Sequence, residues 1–280
     1  MNVLKLLITG AQGQLGQALQ TRFIDHEVVA WGSHDLDISQ LEHVRQALNH
    51  IRPDMVLNAA AFTQVDHAET HQEAAYRGNA LGPRNLALAT HERDIPLVHF
   101  STDYVFDGQQ SRPYHEFDRP NPLSVYGQSK LAGEEQVKTG NPRHFIIRTA
   151  WLYHIIGKSF PQTILRLARQ GPVRVVSDQF GSPTFAPHLA QAVSQLIETD
   201  AFGTYHLAGA GGTSWYDFTK ALYQALDIRA TVLPITTAEY PLPAPRPLYA
   251  VLTSLQDPLI RLPSWQDGVQ EFAAQWKKPN

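Results

Sequence analysis

The sequence predicts a doubly wound α/β fold, a parallel sheet with helices on both faces. Three observations carry that expectation. Short β-branched runs alternate with longer amphipathic stretches through the first half of the chain, the order expected of βαβ units. The runs are apolar throughout, as strands covered on both faces are. The first run opens directly into a glycine loop that leads a helical stretch.

Taken in order, Val3–Thr9 reads as the first strand, and the stretch after the glycine loop to about Phe23 as its helix. Glu27–Trp31 is the second strand, and a helix from about Gln40 to His50 follows, with Ser39 as its cap. Met55–Ala59, Leu97–Ser101 and His144–Thr149 read as further strands. Helical stretches at Glu73–Glu92 and Ser124–Thr139 separate them. Beyond about residue 150 the pattern loosens. Helices near Phe160–Gln170, Ala186–Glu198 and Trp215–Ala225 interleave with short strands at Val173–Val176, Thr204–Leu207 and Val232–Ile235. Prolines at 234, 241, 243, 245 and 247 mark an extended segment, because residues before proline avoid the helical region. Residues 1–150 are therefore expected to form a dinucleotide-binding domain. Residues 151–280 are expected to form mainly a smaller, irregular α/β substrate-binding domain, interleaved with the first and packed on the C-terminal edge of the sheet, where such folds bind ligands.

Composition removes several function classes. The 280 residues carry a formal charge of −3, which leaves no basic stripe for nucleic acid. The absence of cysteine removes disulfides, thiolate metal sites and a cysteine nucleophile, and fits a reducing cytoplasm. No segment approaches the ~20 apolar residues that span a bilayer, and Val3–Ile8 is too short for a signal-peptide core. A soluble cytoplasmic protein with no membrane partner is expected.

The first strand runs into Gly10-Ala-Gln-Gly13-Gln14-Leu15-Gly16. Gly10 allows a tight strand-to-helix turn, Gly13 lets backbone approach a pyrophosphate, and Gly16 permits close helix–strand packing. The helix N-terminus adds free N–H groups and a positive dipole end. In this context, after the first strand of a βαβ unit, the loop points to a Rossmann-type dinucleotide site. The acid that usually binds the adenosine ribose at the tip of the second strand is missing, for Trp31-Gly32-Ser33-His34 stands there. Nothing at the tip would repel a 2′-phosphate, so both NADPH and NADH are admissible.

Hydride reduction of a carbonyl also needs a proton donor and a group that lowers the donor's pKa. A tyrosine with a lysine four residues on places both on one helix face, where the ammonium favours phenolate. Two such pairs occur, Tyr126/Lys130 and Tyr216/Lys220. Tyr126 follows the strand that ends in Ser101-Thr102-Asp103, so Thr102 and Tyr126 share a sheet edge with the glycine loop. The Tyr216 pair lies outside the cofactor-binding repeat, with Ser214 as a helix cap. Tyr126 and Lys130 are the expected catalytic pair. In the second half, Arg246 stands between prolines after the loop Asp178–Thr184, and its planar fork suits a phosphate.

Several long motifs in the right order resemble a known family over nearly the whole chain. They are Gly13-Gln-Leu-Gly16, Val56-Leu-Asn-Ala-Ala-Ala61 with Val65-Asp66, Ser101-Thr-Asp-Tyr-Val-Phe-Asp-Gly108 and Tyr126-Gly-Gln-Ser-Lys-Leu-Ala-Gly-Glu134. Arg148-Thr-Ala-Trp151, Asp178-Gln-Phe-Gly-Ser-Pro-Thr184 and Pro245-Arg246-Pro247 complete them. The chain resembles the dTDP-4-dehydrorhamnose reductases, within the extended short-chain dehydrogenase/reductases. The resemblance implies reduction of a dTDP-4-keto-6-deoxyhexose to dTDP-L-rhamnose by NADPH or NADH. Tyr126 would protonate the C4 oxygen, Lys130 would lower its pKa and hold the nicotinamide ribose, and Thr102 would polarise the carbonyl. Asp103, Trp151, Gln179, Phe180 and Arg246 would contact the substrate. Asp37, Ile38, Ala59, Ala60 and Ala61 would line the adenosine half of the cofactor pocket, and Asn79 would help shape the central helix.

His67 and His71 have a zinc-compatible spacing, but no third ligand is apparent, and a solvated helix face is expected. Related 4,6-dehydratases place Asp-Glu after the threonine, whereas Tyr104 follows Asp103 here, which favours a simple reductase. Alternatives are another nucleotide-sugar 4-ketoreductase, or a non-catalytic subunit resembling the regulatory subunit of methionine adenosyltransferase. Some members of the family dimerise through magnesium held by glutamates. Ala18 and Pro187 stand at what would be two of those positions, so the expectation is no metal and a monomer or homodimer.

Overall fold

The computed structural model describes residues 3–278. β1 (Lys5–Thr9), α1 (Gln14–Arg22), β2 (Glu27–Trp31), α2 (Leu41–Ile51) and β3 (Met55–Asn58) open the chain. Short helices α3 (Val65–Thr70) and α4 (Gln72–Tyr76) lead through a π-turn at Arg77–Leu81 into α5 (Gly82–His91). β4 (Leu97–Thr102), α6 (Val125–Gly140) and β5 (His144–Thr149) follow. The second half contains β6 (Leu152–Tyr153), α7 (Phe160–Leu167), β7 (Val173–Val176), β8 (Phe180–Gly181), β9 (Thr184–Phe185) and α8 (Ala186–Leu196). It ends with β10 (Gly203–His206), β11 (Thr213–Ser214), α9 (Trp215–Ala225), β12 (Val232–Ile235) and α10 (Trp265–Trp276).

The main sheet has the order β10-β5-β4-β3-β1-β2, and every neighbouring pair is parallel. The order reverses between β1 and β3, which opens a crevice at the strand ends. Leu6, Ile8, Leu57 and Phe145 pack with Leu19, Leu189 and Val193 on one face. Leu7, Val56, Leu97 and Ile146 pack with Val44, Leu86 and Val137 on the other. Burial on both sides is why these strands read as unbroken apolar runs.

The boundary near residue 150 is crossed by the fold. β10 pairs with β5 and so extends the first half's sheet, and α8 shares a core with α1. The remaining second-half elements form a separate core around Tyr153, Phe185, Phe218, Leu222 and Phe272.

Two local expectations are corrected. α2 is preceded by Gln40, without a side-chain cap; Ser39 is occupied by Asp37, to which its hydroxyl donates at 2.6 Å, and by Arg77, from which it accepts. The stretch read as one helix from Glu73 to Glu92 is interrupted by the π-turn. Pro83 has no N–H, and its ring crowds the carbonyl of Asn79 four residues earlier, so a regular turn cannot pass there.

Candidate active site

The glycine loop turns as its sequence demands. Gly10 has φ +69°, and a Cβ there would lie 2.5 Å from the Ala60 nitrogen. Glycine alone can make this turn against the end of β3. A Cβ on Gly13 would meet only the Gly10 carbonyl, at 3.3 Å, so the loop presents open backbone to the crevice. The buried Gln14 Oε1 has no partner. Both features fit a dinucleotide phosphate lying over the start of α1.

The other end of the crevice is built by α6. Ser124 caps that helix, its hydroxyl accepting from the Gly127 N–H. Gly127 has no side chain to collide with the Tyr104 carbonyl, from which a Cβ would be 2.2 Å. That close approach seats Tyr126 against the short helix Asp103–Val105. Tyr104 and Tyr126 meet edge to face with ring centres 5.5 Å apart. Lys130, one turn along, is buried and donates to the Phe100 carbonyl at 2.6 Å. Glu134, a further turn along, accepts from Ser101 Oγ at 2.5 Å and from Arg148 Nε and Nη2 at 2.9 and 2.7 Å. This buried carboxylate joins α6 to the ends of β4 and β5, and so fixes Tyr126 and Lys130 relative to Thr102.

Burial sets the charge states. It pushes the Tyr126 phenol up to about 12, opposed by the adjacent Thr102 hydroxyl. It pushes Lys130 down to about 8, opposed by Glu134. Asp103 is raised to about 7, again by burial and against a hydrogen bond from Thr102. Thr102 donates to Asp103 Oδ1 at 3.0 Å, while Asp103 Oδ2 is buried without a partner. The Lys130 ammonium is directed at the Phe100 carbonyl, and burial is the largest influence on the Tyr126 phenol.

A cavity of about 560 Å³ joins the two ends. Gly13, Gln14, Leu15, Gly16, Ala59 and Ala61 wall it on the loop side, and Thr102, Asp103, Tyr126, Lys130 and Trp151 on the α6 side. Asp37, Ile38 and Ala60 lie outside that wall. Asp37 is exposed and pairs with Arg77 at 3.2 Å; Ile38 is buried against Gly82. Asn79 is buried in the π-turn and ties the Phe62 backbone to Ser129 on α6. A second cavity, of about 460 Å³, carries Gln179, Arg174 and Arg246 among apolar residues of α7, β7 and β12. Phe180 is not in its wall; its ring lies 6.3 Å from Tyr249. Arg246 binds Asp66 bidentately, at 2.8 and 2.7 Å, which its position between prolines gave no means of foreseeing.

Sequence reasoning missed Tyr104, Lys158 and Trp215, which also wall the first cavity. Tyr104 was legible as the residue after Thr102-Asp103. Lys158 and Trp215 come from remote segments and carried no motif. The Tyr216/Lys220 pair is half-buried to exposed, with the ammonium 5.0 Å above the tyrosine ring. The His67 and His71 rings lie 3.6 Å apart with their planes tilted by 31°, and among the described residues no cluster of three His, Asp or Glu side chains could hold a metal. No helix among them is long and apolar enough to cross a membrane.

A parallel sheet with a glycine turn after β1 and a Thr–Tyr–Lys constellation at the ends of β4 and α6 defines an NAD(P)-dependent oxidoreductase of the short-chain type. The family model described as "RmlD substrate binding domain" matches residues 4–278. The chain belongs to this family, that of the dTDP-4-dehydrorhamnose reductases. It is 38% identical to the dTDP-4-dehydrorhamnose reductase of Aggregatibacter actinomycetemcomitans, over 96% of this chain and 98% of that one. It is 43% identical to a probable dTDP-4,6-dihydroxy-2-methyloxan-3-one 4-ketoreductase of Streptomyces antibioticus, over 89% and 86%. The crystal structure of dTDP-4-dehydrorhamnose reductase from Bacillus anthracis, in complex with NADP, superposes with a TM-score of 0.94 at 37% identity, covering 98% of this chain and all of that one.

Proposed function

We propose that the chain reduces the 4-keto group of dTDP-4-dehydrorhamnose to give dTDP-L-rhamnose, with NADPH or NADH as reductant. The observation that carries this reading is the single cavity that joins the glycine loop to Thr102, Tyr126 and Lys130, in a chain that matches the family from end to end.

The nicotinamide, when bound, supplies the hydride. The chain's residues manage the oxygen. A phenol held near 12 keeps its proton in the ground state, yet yields it to an alkoxide, which is far more basic. Thr102 can donate to the same oxygen once its hydroxyl turns from Asp103. Lys130 holds a buried positive charge one turn from Tyr126, and that charge favours negative charge as it develops. Asp103, raised to about 7, offers its unpartnered oxygen to a sugar hydroxyl. Beyond Trp151, the second cavity suits the nucleotide end of the substrate: apolar walls for a base, with Gln179, Arg174 and Arg246 for polar groups.

A second reading, reduction of another dTDP-linked 4-keto sugar, is favoured by the likeness to the Streptomyces 4-ketoreductase. Incubation with NADPH and each 4-keto sugar in turn, followed by NMR identification of the product, separates the two. Formation of dTDP-L-rhamnose supports the first reading; turnover confined to another sugar overturns it. The reading places the enzyme in the cytoplasm as a monomer or homodimer, in accord with a cysteine-free composition and a charged, diffusible substrate.

A further inference from the structure

Trp151 and Trp215 come from opposite sides of the site and stack face to face. Their ring centres are 3.4 Å apart and their planes 5° from parallel. Trp151 stands two residues after the end of β5 with φ +45°, a backbone conformation costly for a bulky side chain. It is held there by its carbonyl, which accepts from the Thr184 N–H, and by Gly181, where a Cβ would lie 2.3 Å from the indole. Trp215 is the first residue of α9, which Ser214 caps. Phe160 backs it with ring centres 4.4 Å apart. Two separate local devices therefore serve one stack, and both indoles stay partly open to the cavities.

The stack lies at a junction. Trp215 and Tyr104 wall both the reducing chamber and the second cavity, and Tyr104 touches the catalytic Tyr126 edge to face. A molecule that occupied both cavities would run along Trp215 and Tyr104, which wall both. A tryptophan that served only the core of the second half would not need to face either cavity.

We propose that Trp215 is a specificity-determining residue: stacked on Trp151, it sets the passage between the two cavities and selects substrates whose sugar is carried on a nucleoside diphosphate. This rests on the reading that the sugar lies by Tyr126 and the nucleotide in the second cavity. The paired indoles give a flat apolar face for the C–H edge of the pyranose. Their far end meets the chain of atoms that leaves C1 of the sugar.

The test compares Trp215→Phe and Trp215→Ala with the unchanged protein on two substrates, the dTDP-linked 4-keto-6-deoxyhexose and the same sugar as its 1-phosphate. Trp215→Ala should raise KM for the dTDP-linked substrate by about tenfold or more, the scale of a lost aromatic contact, and leave KM for NADPH within about twofold. Preference for the dTDP-linked substrate over the 1-phosphate should fall, and Trp215→Phe should restore part of it. An unchanged preference, with both substrates slowed alike, would make Trp215 a packing residue only and overturn the inference. Circular dichroism supplies a readout independent of turnover, since stacked indoles give a coupled band that Trp215→Phe abolishes. Titration with dTDP should shift that band. No shift at saturating dTDP, with binding verified by calorimetry, contradicts the inference. Failure of the unchanged protein to reduce any dTDP-4-keto sugar would instead defeat the functional reading, and the dTDP titration would still decide the role of Trp215.

Discussion

Asp66 and Arg246, 180 positions apart, form a two-pronged ion pair at 2.8 and 2.7 Å. Asp66 Oδ1 also accepts from the Ala244 N–H at 3.1 Å. The pair fastens the proline-rich segment 241–247 to α3, beside Tyr104. The sequence suggests Arg246 as a phosphate ligand; in the structure Asp66 holds two of its nitrogens and fixes it in the wall of the second cavity. Arg246→Ala should lower stability by about 1–2 kcal/mol, a modest figure because Asp66 stays open to water. It should also raise KM for the sugar nucleotide and spare NADPH affinity. Thermal melts and steady-state kinetics check this; a normal KM would reduce the pair to a strut.

Asp103 gives a pH-dependent stability of unusual sign. Its pKa rises from an ordinary 3.8 to about 7 on folding, so between those values the folded state holds a proton that the unfolded state has lost. Stability from this group therefore falls as pH rises from about 4 to about 7, and stays low above. Asp103→Asn should raise Tm, more at pH 8 than at pH 5, while weakening turnover of the sugar. Equal Tm gains at the two pH values would contradict the burial argument.

Lys130 sets an alkaline limit. Its ammonium is held near 8 rather than 10.5 by burial, so the positive charge beside Tyr126 is present below that pH and lost above it. In the unliganded enzyme, kcat/KM should decline as pH rises through about 8. A profile flat to pH 10 would show that catalysis does not need the charge.

Most of the sheet, and the meeting of Thr102, Tyr126 and Lys130 at one cavity, were legible in the residues. β2, β5, β7, β12 and α9 fall on the residue limits read from the sequence, because their apolar runs are bounded by strong turn or cap signals. Thr102, Tyr126 and Lys130 could be placed because two adjacent elements of one repeat supply them. What escaped was made by remote contacts: the Asp66–Arg246 pair, the Trp151–Trp215 stack, and the passage of β10 and α8 into the first half's sheet and core. Periodicity reports which face is buried and leaves open what it is buried against.

Cofactor choice follows from the end of β2. Asp35 is turned back to accept from the Gly32 N–H at 2.8 Å, and Asp37 is bound to Ser39 and Arg77. The charge of Asp37 is offset by Arg77 at 3.2 Å, and Ser33 and His34 carry no carboxylate to repel a 2′-phosphate. NADPH should be used at least as readily as NADH, and Ser33→Asp should penalise NADPH selectively. A strong preference for NADH in the unchanged protein would contradict this.

The central claim is that Tyr126, and not Tyr216, protonates the reduced oxygen. Its most direct test is the turnover of Tyr126→Phe and Tyr216→Phe with saturating NADPH and dTDP-4-dehydrorhamnose. Tyr126→Phe should retain the fold and NADPH binding while kcat falls by a factor of about 10²–10⁴, and Tyr216→Phe should be close to the unchanged protein. A Tyr126→Phe enzyme of near-normal kcat, or one that outperforms Tyr216→Phe, would contradict the assignment.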